Sequence, residues 1–505
     1  MKGILWLATA VLVGSYICLS VADPDLWWHI TIGKWILAHQ TVPSVDLWNM
    51  YSADSLWRAY SWTVEILFAL VDGWSGAKGL LLLQLAFAIV LALVLQRVFS
   101  VLAQDGFVGV LIGVYTTVAC FNHFTLRPQV IVWMLFALAI MVADDSRERR
   151  FSSKHLVYLG LIGVAWANTH LTAVLGLIAI FLWSLQSSRG GALQWGASLK
   201  GSAAFFLGTL ITPYIGGEWL TFVSKGAHPL KFQSISEFQP STILQYSTVF
   251  VLLFVVLLVV AAFQARIRPT IARTALAGGM TLAGLTAVKF LPFAAISLGA
   301  LIAVWWRHNS AEQVSSGGNN LAEGIWQAKK GFEGLSWQTL GSIAFFFACI
   351  STVNIAALLR RPLDTTLVPK DAVDFIEEKK LEHPILNEFG AGGYLMYRYS
   401  NPDGTPQHKV AIDGRTNVNG PEIWDLYQAS LRGTSGWHNF IDKVQPKTIL
   451  WRQGSAFVSL LLLDPDWCRV FATGSGENDF VLFIPRDDFR KRRSELSSID
   501  CNELQ

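Results

Sequence analysis

The chain has 505 residues, of which 52% are apolar and 15% charged, with a formal net charge of +3. Soluble chains carry about 25% charged residues, so this composition excludes an ordinary soluble protein, and so small a charge offers no electrostatic case for a nucleic-acid partner. The apolar residues gather in runs such as Gly79 to Leu95, Thr248 to Phe263 and Leu340 to Leu359, close to the roughly 20 residues that cross a bilayer core.

In chain order, spans are expected near 4–22, 79–96, 106–122, 129–143, 155–168, 171–187, 202–217, 247–264, 275–288, 292–306 and 338–358, about eleven transmembrane helices. The first run ends in Ser20-Val21-Ala22, which also suits a cleavable signal peptide. Its length favours a retained helix, and both readings leave Asp23 on the outer side. With the N-terminus inside, lysine and arginine concentrate on the cytoplasmic segments, Arg147, Arg149, Arg150, Arg266 and Arg268 among them, as the positive-inside rule requires.

The expected fold is therefore an all-α polytopic membrane domain over 1–358 followed by a small soluble α/β domain over 359–505 on the non-cytoplasmic side. An outer loop is expected at 22–78. A cytoplasmic connection at 308–337 reads as flexible, with Ser315-Ser316-Gly317-Gly318-Asn319-Asn320 inside it. In the C-terminal domain the pattern predicts an amphipathic helix at 370–380 and short strands at 384–387, 409–412, 448–451 and 480–484. Cys468 and Cys501 would join if that domain faces an oxidising compartment.

This topology puts the polar residues that hydropathy cannot explain on the outer side. The first loop carries Asp23 and Asp25, then His29, Arg58 and Glu65; later loops carry Arg127, His170, Glu237 and Lys289. Ionisable groups at membrane depth are costly and usually line a wet cavity or pair with one another. Such a cavity offers carboxylates able to act as a general base or hold a divalent metal, and cations able to bind a lipid phosphate. Plainer roles stand beside these. Trp27, Trp28, Trp35, Trp48, Trp57 and Trp62 suit an aromatic belt; Asp23 suits a helix cap; Arg127-Pro128 suits a helix start; His170 suits a satisfied loop histidine.

The run Asp23-Pro24-Asp25-Leu26-Trp27-Trp28-His29-Ile30, followed by Gly33 and Val42-Pro43-Ser44-Val45-Asp46, resembles the opening of bacterial multi-span proteins related to the GT-C glycosyltransferases. Arg127-Pro128-Gln129, Trp166-Ala167-Asn168-Thr169-His170, Thr212-Pro213-Tyr214, Glu237-Phe238-Gln239-Pro240 and Lys289-Phe290-Leu291-Pro292 follow in the same order. The C-terminal part resembles that group through Gly390-Ala391-Gly392-Gly393-Tyr394-Leu395 and Ala411-Ile412-Asp413-Gly414-Arg415-Thr416. Two positions depart from it: Leu171 stands where the group has glycine, and Lys289 near where it has an arginine, which loses the bidentate fork for phosphate.

The resemblance implies a GT-C fold in the inner membrane with a periplasmic C-terminal domain. It implies transfer of a sugar from a polyprenyl-phosphate donor at the outer face, with Asp23 and Asp25 as the catalytic acidic pair. His29, Arg58, Glu65, Arg127, His170, Glu237 and Lys289 are the expected substrate-binding groups. Binding or transport of a lipid-linked glycan without chemistry, and ligation of such a glycan, are the alternatives. The glycines at 390–393 fit either a tight turn or a phosphate cradle. Asp413-Gly414-Arg415 fits a turn or an acceptor-binding edge.

Overall fold

The structure is a computed structural model that describes residues 2–149, 152–187, 193–226, 235–264, 270–315, 321–415, 417–496 and 501. The chain forms two compact units, one of Met1–Leu19 with Leu81–Arg361, the other of Ser20–Leu80 with Pro362–Gln505. The segment Ser20–Leu80 thus folds with the C-terminal segment, a partnership invisible to local hydropathy.

The first unit is a helical membrane domain. A helix occupies each of the eleven expected positions, but among the described residues four are long and apolar enough to cross a membrane: Trp62–Ala103, Tyr246–Phe263, Val288–Asn309 and Trp337–Arg360. By length and composition, four of the expected eleven spans are thus supported among the described residues. Apolar runs that look long in sequence are cut by turns, so that Gly106–Ala119 has 14 residues and Ala173–Ser184 has 12, short of the roughly 20 needed. Trp62–Ala103 is itself two helices merged across Gly76, where φ is +54°.

Packing in this unit relies on small residues at helix crossings. A methyl on Gly163 would overlap the Phe205 carbonyl, and one on Gly208 the Gly160 carbonyl, so helices Ser153–Ala167 and Trp195–Thr209 approach backbone to backbone. Trp133, Phe136, Trp166, Trp183 and Phe205 fill the core. Phe345, Phe346 and Val353 on the Trp337–Arg360 helix remain exposed, as a lipid-facing surface does. Of the connection read as flexible, residues 316–320 of the Ser-Gly-Asn run lie outside the described residues; on either side Leu291–Ser315 runs into it and Leu321–Glu333 follows. Lys329 bonds Asp105 at 2.8 Å and ties the second of these down.

The second unit is α/β. Its sheet has strands β1 Ile385–Asn387, β2 Thr448–Arg452, β3 Trp467–Ala472 and β4 Phe480–Pro485 in the order β1-β2-β4-β3. The β1–β2 pair is parallel and the others are antiparallel. The helix expected at 370–380 is present as Lys370–Glu378. Two strand expectations need correction. Lys409–Ile412 stays outside the sheet because its backbone pairs with the first loop, Val410 N–H donating to the Trp48 carbonyl at 2.9 Å and Met50 N–H to the Val410 carbonyl at 2.9 Å. Trp467–Ala472, not foreseen as a strand, takes the edge instead. Cys468 and Cys501 are joined in a disulfide.

The tryptophans read as an aromatic belt mostly build this unit. Trp27, Trp28, Trp48 and Trp57 are all buried. Trp27 packs edge-on to Tyr394 with centroids 5.0 Å apart, and Trp48 Nε1 donates to the Gly404 carbonyl at 2.9 Å. Trp35 and Trp62 are half-buried. An indole facing protein on every side cannot mark a lipid interface.

Candidate functional site

Asp23-Pro24-Asp25 forms the turn that leads into the helix Leu26–His39. The Asp25 backbone N–H donates to Asp23 Oδ1 at 2.9 Å, an Asx-type turn that fixes the spacing of the two acids. Asp25 sits at the N-cap position but makes no side-chain cap bond; its Oδ1 accepts from Trp28 Nε1 at 3.1 Å. Asp23 is buried and Asp25 half-buried. One turn on, His29 Nδ1 lies 3.0 Å from Glu65 Oε1, both residues buried, while Glu65 Oε2 has no hydrogen-bond partner among the described residues. Gly33 permits this pairing, since a methyl there would overlap the Glu65 backbone carbonyl. The sequence-predicted Asp23, Asp25, His29 and Glu65 therefore share one corner of the second unit. Arg58, half-buried, lies in the loop just before the helix that carries Glu65.

The C-terminal glycine motifs close over this corner. A Cβ on Gly393 would come within 2.6 Å of the Pro24 carbonyl oxygen, and one on Gly414 would overlap Asp25 Oδ1. A methyl on Gly392 would overlap the Ile412 carbonyl. Gly392 and Gly393 are thus occupied by protein, which answers the question of a phosphate cradle in favour of close backbone packing.

Next to Gly414, Arg415 is buried between two carboxylates. Its Nε and Nη2 each donate to Asp413 at 2.9 Å, and its Nη1 donates to Asp46 at 2.6 Å. Asn49 Nδ2 adds bonds to Asp413 at 3.3 Å and to Asn419 at 3.1 Å. Burial pulls the guanidinium down, yet the charges of Asp413 and Asp46 outweigh it and hold the group above the ordinary arginine range. Asp46 and Arg415 were legible only as motif letters, since 369 residues separate them. A second tie runs through Asp72, which accepts from Lys34 Nζ at 2.9 Å and from the Tyr397 hydroxyl at 3.2 Å.

The other expected residues lie in the first unit. Arg127, just ahead of the helix Gln129–Arg149, pairs with Glu237. Lys289 Nζ sits 3.3 Å from the centroid of Phe238, and the Val288 N–H donates to the Gln239 carbonyl at 3.1 Å. Arg127, Glu237 and Lys289 therefore gather around the short turns Ser236–Phe238 and Val288–Phe290. His170 Nδ1 bonds the Thr172 hydroxyl at 3.0 Å, the arrangement of a satisfied loop histidine. Sequence reasoning missed a buried charge cluster here: Asp144 accepts from Arg307 at 2.7 Å, pairs with Arg273, and takes the Trp183 indole at 3.1 Å.

A metal at the Asp23/Asp25 pair was an expectation of the sequence. Among the described residues no group of three or more His, Cys, Asp and Glu is placed to hold an ion.

No protein-family model matches the chain, and no curated protein matches it. Solved structures do match. The archaeal oligosaccharyltransferase AglB from Archaeoglobus fulgidus, in complex with an inhibitory peptide and a dolichol-phosphate, has a TM-score of 0.53 at 10% identity, over 95% of this chain and 76% of its own. The Archaeoglobus fulgidus oligosaccharyltransferase tethered to an acceptor peptide containing the NVT sequon gives 0.53 at 11% identity, over 98% and 76%. The apo form gives 0.52 at 10%, over 95% and 76%. At such identities the likeness speaks for the fold alone: the chain shares the fold of these oligosaccharyltransferases.

Proposed function

We propose that this protein is a membrane glycosyltransferase that moves a sugar from a polyprenyl-phosphate-linked donor to an acceptor at the outer face of a bacterial inner membrane. The observation that carries the reading is the acid corner: in a GT-C-like fold, the turn after the first helix holds two carboxylates in fixed relation, backed by a buried His29–Glu65 pair. Of the two acids, Asp23 is buried and engaged with the turn it forms, whereas Asp25 is the more open. Asp25 is therefore assigned as the base.

In the proposed step the Asp25 carboxylate takes the proton of an acceptor hydroxyl while the acceptor oxygen bonds to the anomeric carbon. The bond from that carbon to the phosphate oxygen breaks, and the lipid phosphate leaves with the electron pair. Configuration inverts in a single displacement. No step is routed through a metal. Within the first unit, Arg127 and Lys289 are assigned to an anionic lipid headgroup, Arg127 by charge-assisted hydrogen bonding and Lys289 as a point charge. His170, Glu237 and Arg58 are assigned supporting roles in substrate binding. The Cys468–Cys501 disulfide supports an oxidising, periplasmic location for the C-terminal segment.

A second reading is favoured by the matched folds, whose proteins were solved with dolichol-phosphate and with acceptor peptide: transfer of a preassembled lipid-linked glycan to protein. One assay separates the readings. Membranes containing the full chain are given radiolabelled polyprenyl-phosphate monosaccharides or a lipid-linked oligosaccharide, with and without an NVT-containing peptide. Label moved from a monosaccharide donor supports the first reading, and label moved to the peptide from the oligosaccharide supports the second. Lipid binding with no transfer from any donor leaves the non-enzymatic binding or transport role.

A further inference from the structure

Glycines stay glycine for two physical reasons, a backbone that needs positive φ or a neighbour that leaves no room for a side chain. Gly414 has no positive φ, so only space is at issue. The three heavy atoms nearest to a Cβ at that position are Asp25 Oδ1, Asp25 Cγ at 3.2 Å and Trp28 Nε1 at 3.5 Å. What this glycine accommodates is therefore the acid and its indole donor, and nothing else so close. Gly208 in the first unit offers the contrast: the atoms nearest to a Cβ there all belong to the Gly160 backbone, a purely architectural fit.

We propose that the bend Asp413-Gly414-Arg415 is a positioning element for Asp25, setting where its carboxylate stands during transfer. The inference rests on the assignment of Asp25 as the base. Three observations converge on it. Asp25 Oδ1 occupies the space a side chain on Gly414 would need. Trp28 Nε1 holds the same oxygen from the helix side at 3.1 Å. The bend cannot drift, because Arg415 is bound on one side to Asp413 at 2.9 Å and on the other to Asp46 of the first loop at 2.6 Å. Breaking such a buried guanidinium–carboxylate network leaves an uncompensated charge. The C-terminal segment thereby acts on the chemistry through the Asp25 carboxylate it packs against.

The test uses the purified full-length protein with whichever lipid-linked donor the wild type consumes, and compares Gly414→Ala, Trp28→Phe, Gly208→Ala and Asp25→Asn. Rates are expressed per folded molecule, with folding followed by thermal unfolding. For Gly414→Ala the expected result is a kcat lower by about 100-fold, the scale of a 1 Å misplacement, with the donor KM within about threefold, the pattern of an interaction lost only in the transition state. Trp28→Phe removes one hydrogen bond to a charged group and adds no atoms, so kcat should fall about tenfold at unchanged KM. Gly208→Ala should instead reduce the amount of folded protein and leave the kcat of the folded fraction intact. Should Gly414→Ala not fold, Trp28→Phe decides: wild-type kcat there overturns the proposal. Gly414→Ala at wild-type kcat, with Asp25→Asn inactive, overturns the positioning role and leaves the base assignment standing. Asp25→Asn at the wild-type rate overturns the base assignment itself.

Discussion

Two clusters of charge in the second unit lie on the same first loop and meet the same C-terminal bend, yet they are built in opposite ways. Around Arg415 the donors and acceptors are matched: its guanidinium nitrogens bond two carboxylates, and Asn49 and Asn419 complete the set. At Glu65 the matching is incomplete. Glu65 is buried beside His29 with Oε2 lacking a hydrogen-bond partner among the described residues, and Asp25 is the half-buried member of its pair. Buried polar groups are normally satisfied. Under the proposed assignment of Asp25, the contrast separates charges that hold the unit together from charges that serve the transfer.

Substitution should do most damage at the matched cluster. Arg415→Ala leaves Asp46 and Asp413 buried without their counter-charge and should cost about 3–5 kcal/mol, read as a large fall in unfolding temperature of the purified protein. Equal stability would show that the network is not structural. Removing the disulfide with Cys468→Ser should cost about 2–4 kcal/mol by freeing the unfolded chain, checked by the same unfolding curve and by intact mass under non-reducing conditions. At the unmatched corner, Glu65→Gln should change stability by no more than about 1 kcal/mol, since one oxygen already lacks a partner and the amide can still meet His29. Its effect should fall on transfer rate instead, and a stability loss as large as that of Arg415→Ala would erase the distinction between the clusters.

A smaller effect concerns pH. His383 stacks on His408 with centroids 3.6 Å apart, and burial, aided by the charge of His408, pushes its pKa down to about 4. The unfolded chain therefore binds a proton that the folded one refuses. Stability contributed by this group is fully present above the unfolded value near 6.5 and is lost as pH falls toward about 4. Unfolding temperature should drop across that window, and His383→Gln should flatten the slope by one proton. An unchanged slope would show that His383 does not set it.

Much of the fold was legible because hydrophobic periodicity is local. Helices stand where the apolar runs predicted them, and the strands at 385–387, 448–452 and 480–485 follow from short apolar stretches between turns. What could not be read was long-range. Asn49 and Asp413 bond across 364 residues of sequence, so a loop full of tryptophans looked like a membrane belt when it is the core of a domain. Lys409–Ile412 had the composition of a strand, and its partner proved to be Trp48–Met50 on the first loop. At the candidate site, Asp23, Asp25, His29 and Glu65 were singled out by type and by their shared loop, whereas the pairing of His29 with Glu65 was not foreseen. Nor was the reason for Gly393 and Gly414, because a glycine records only that something stands close, never what.

Everything proposed for the acid corner depends on Asp25 carrying the chemistry and not belonging to the scaffold. The initial rate of sugar transfer by Asp25→Asn, set against wild type at equal amounts of folded protein, decides this. The expected rate is lower by about 10²–10⁴-fold, the range for loss of a general base, with an unfolding temperature close to that of the wild type. A variant that transfers sugar within about twofold of the wild-type rate, far inside that range, would contradict the assignment.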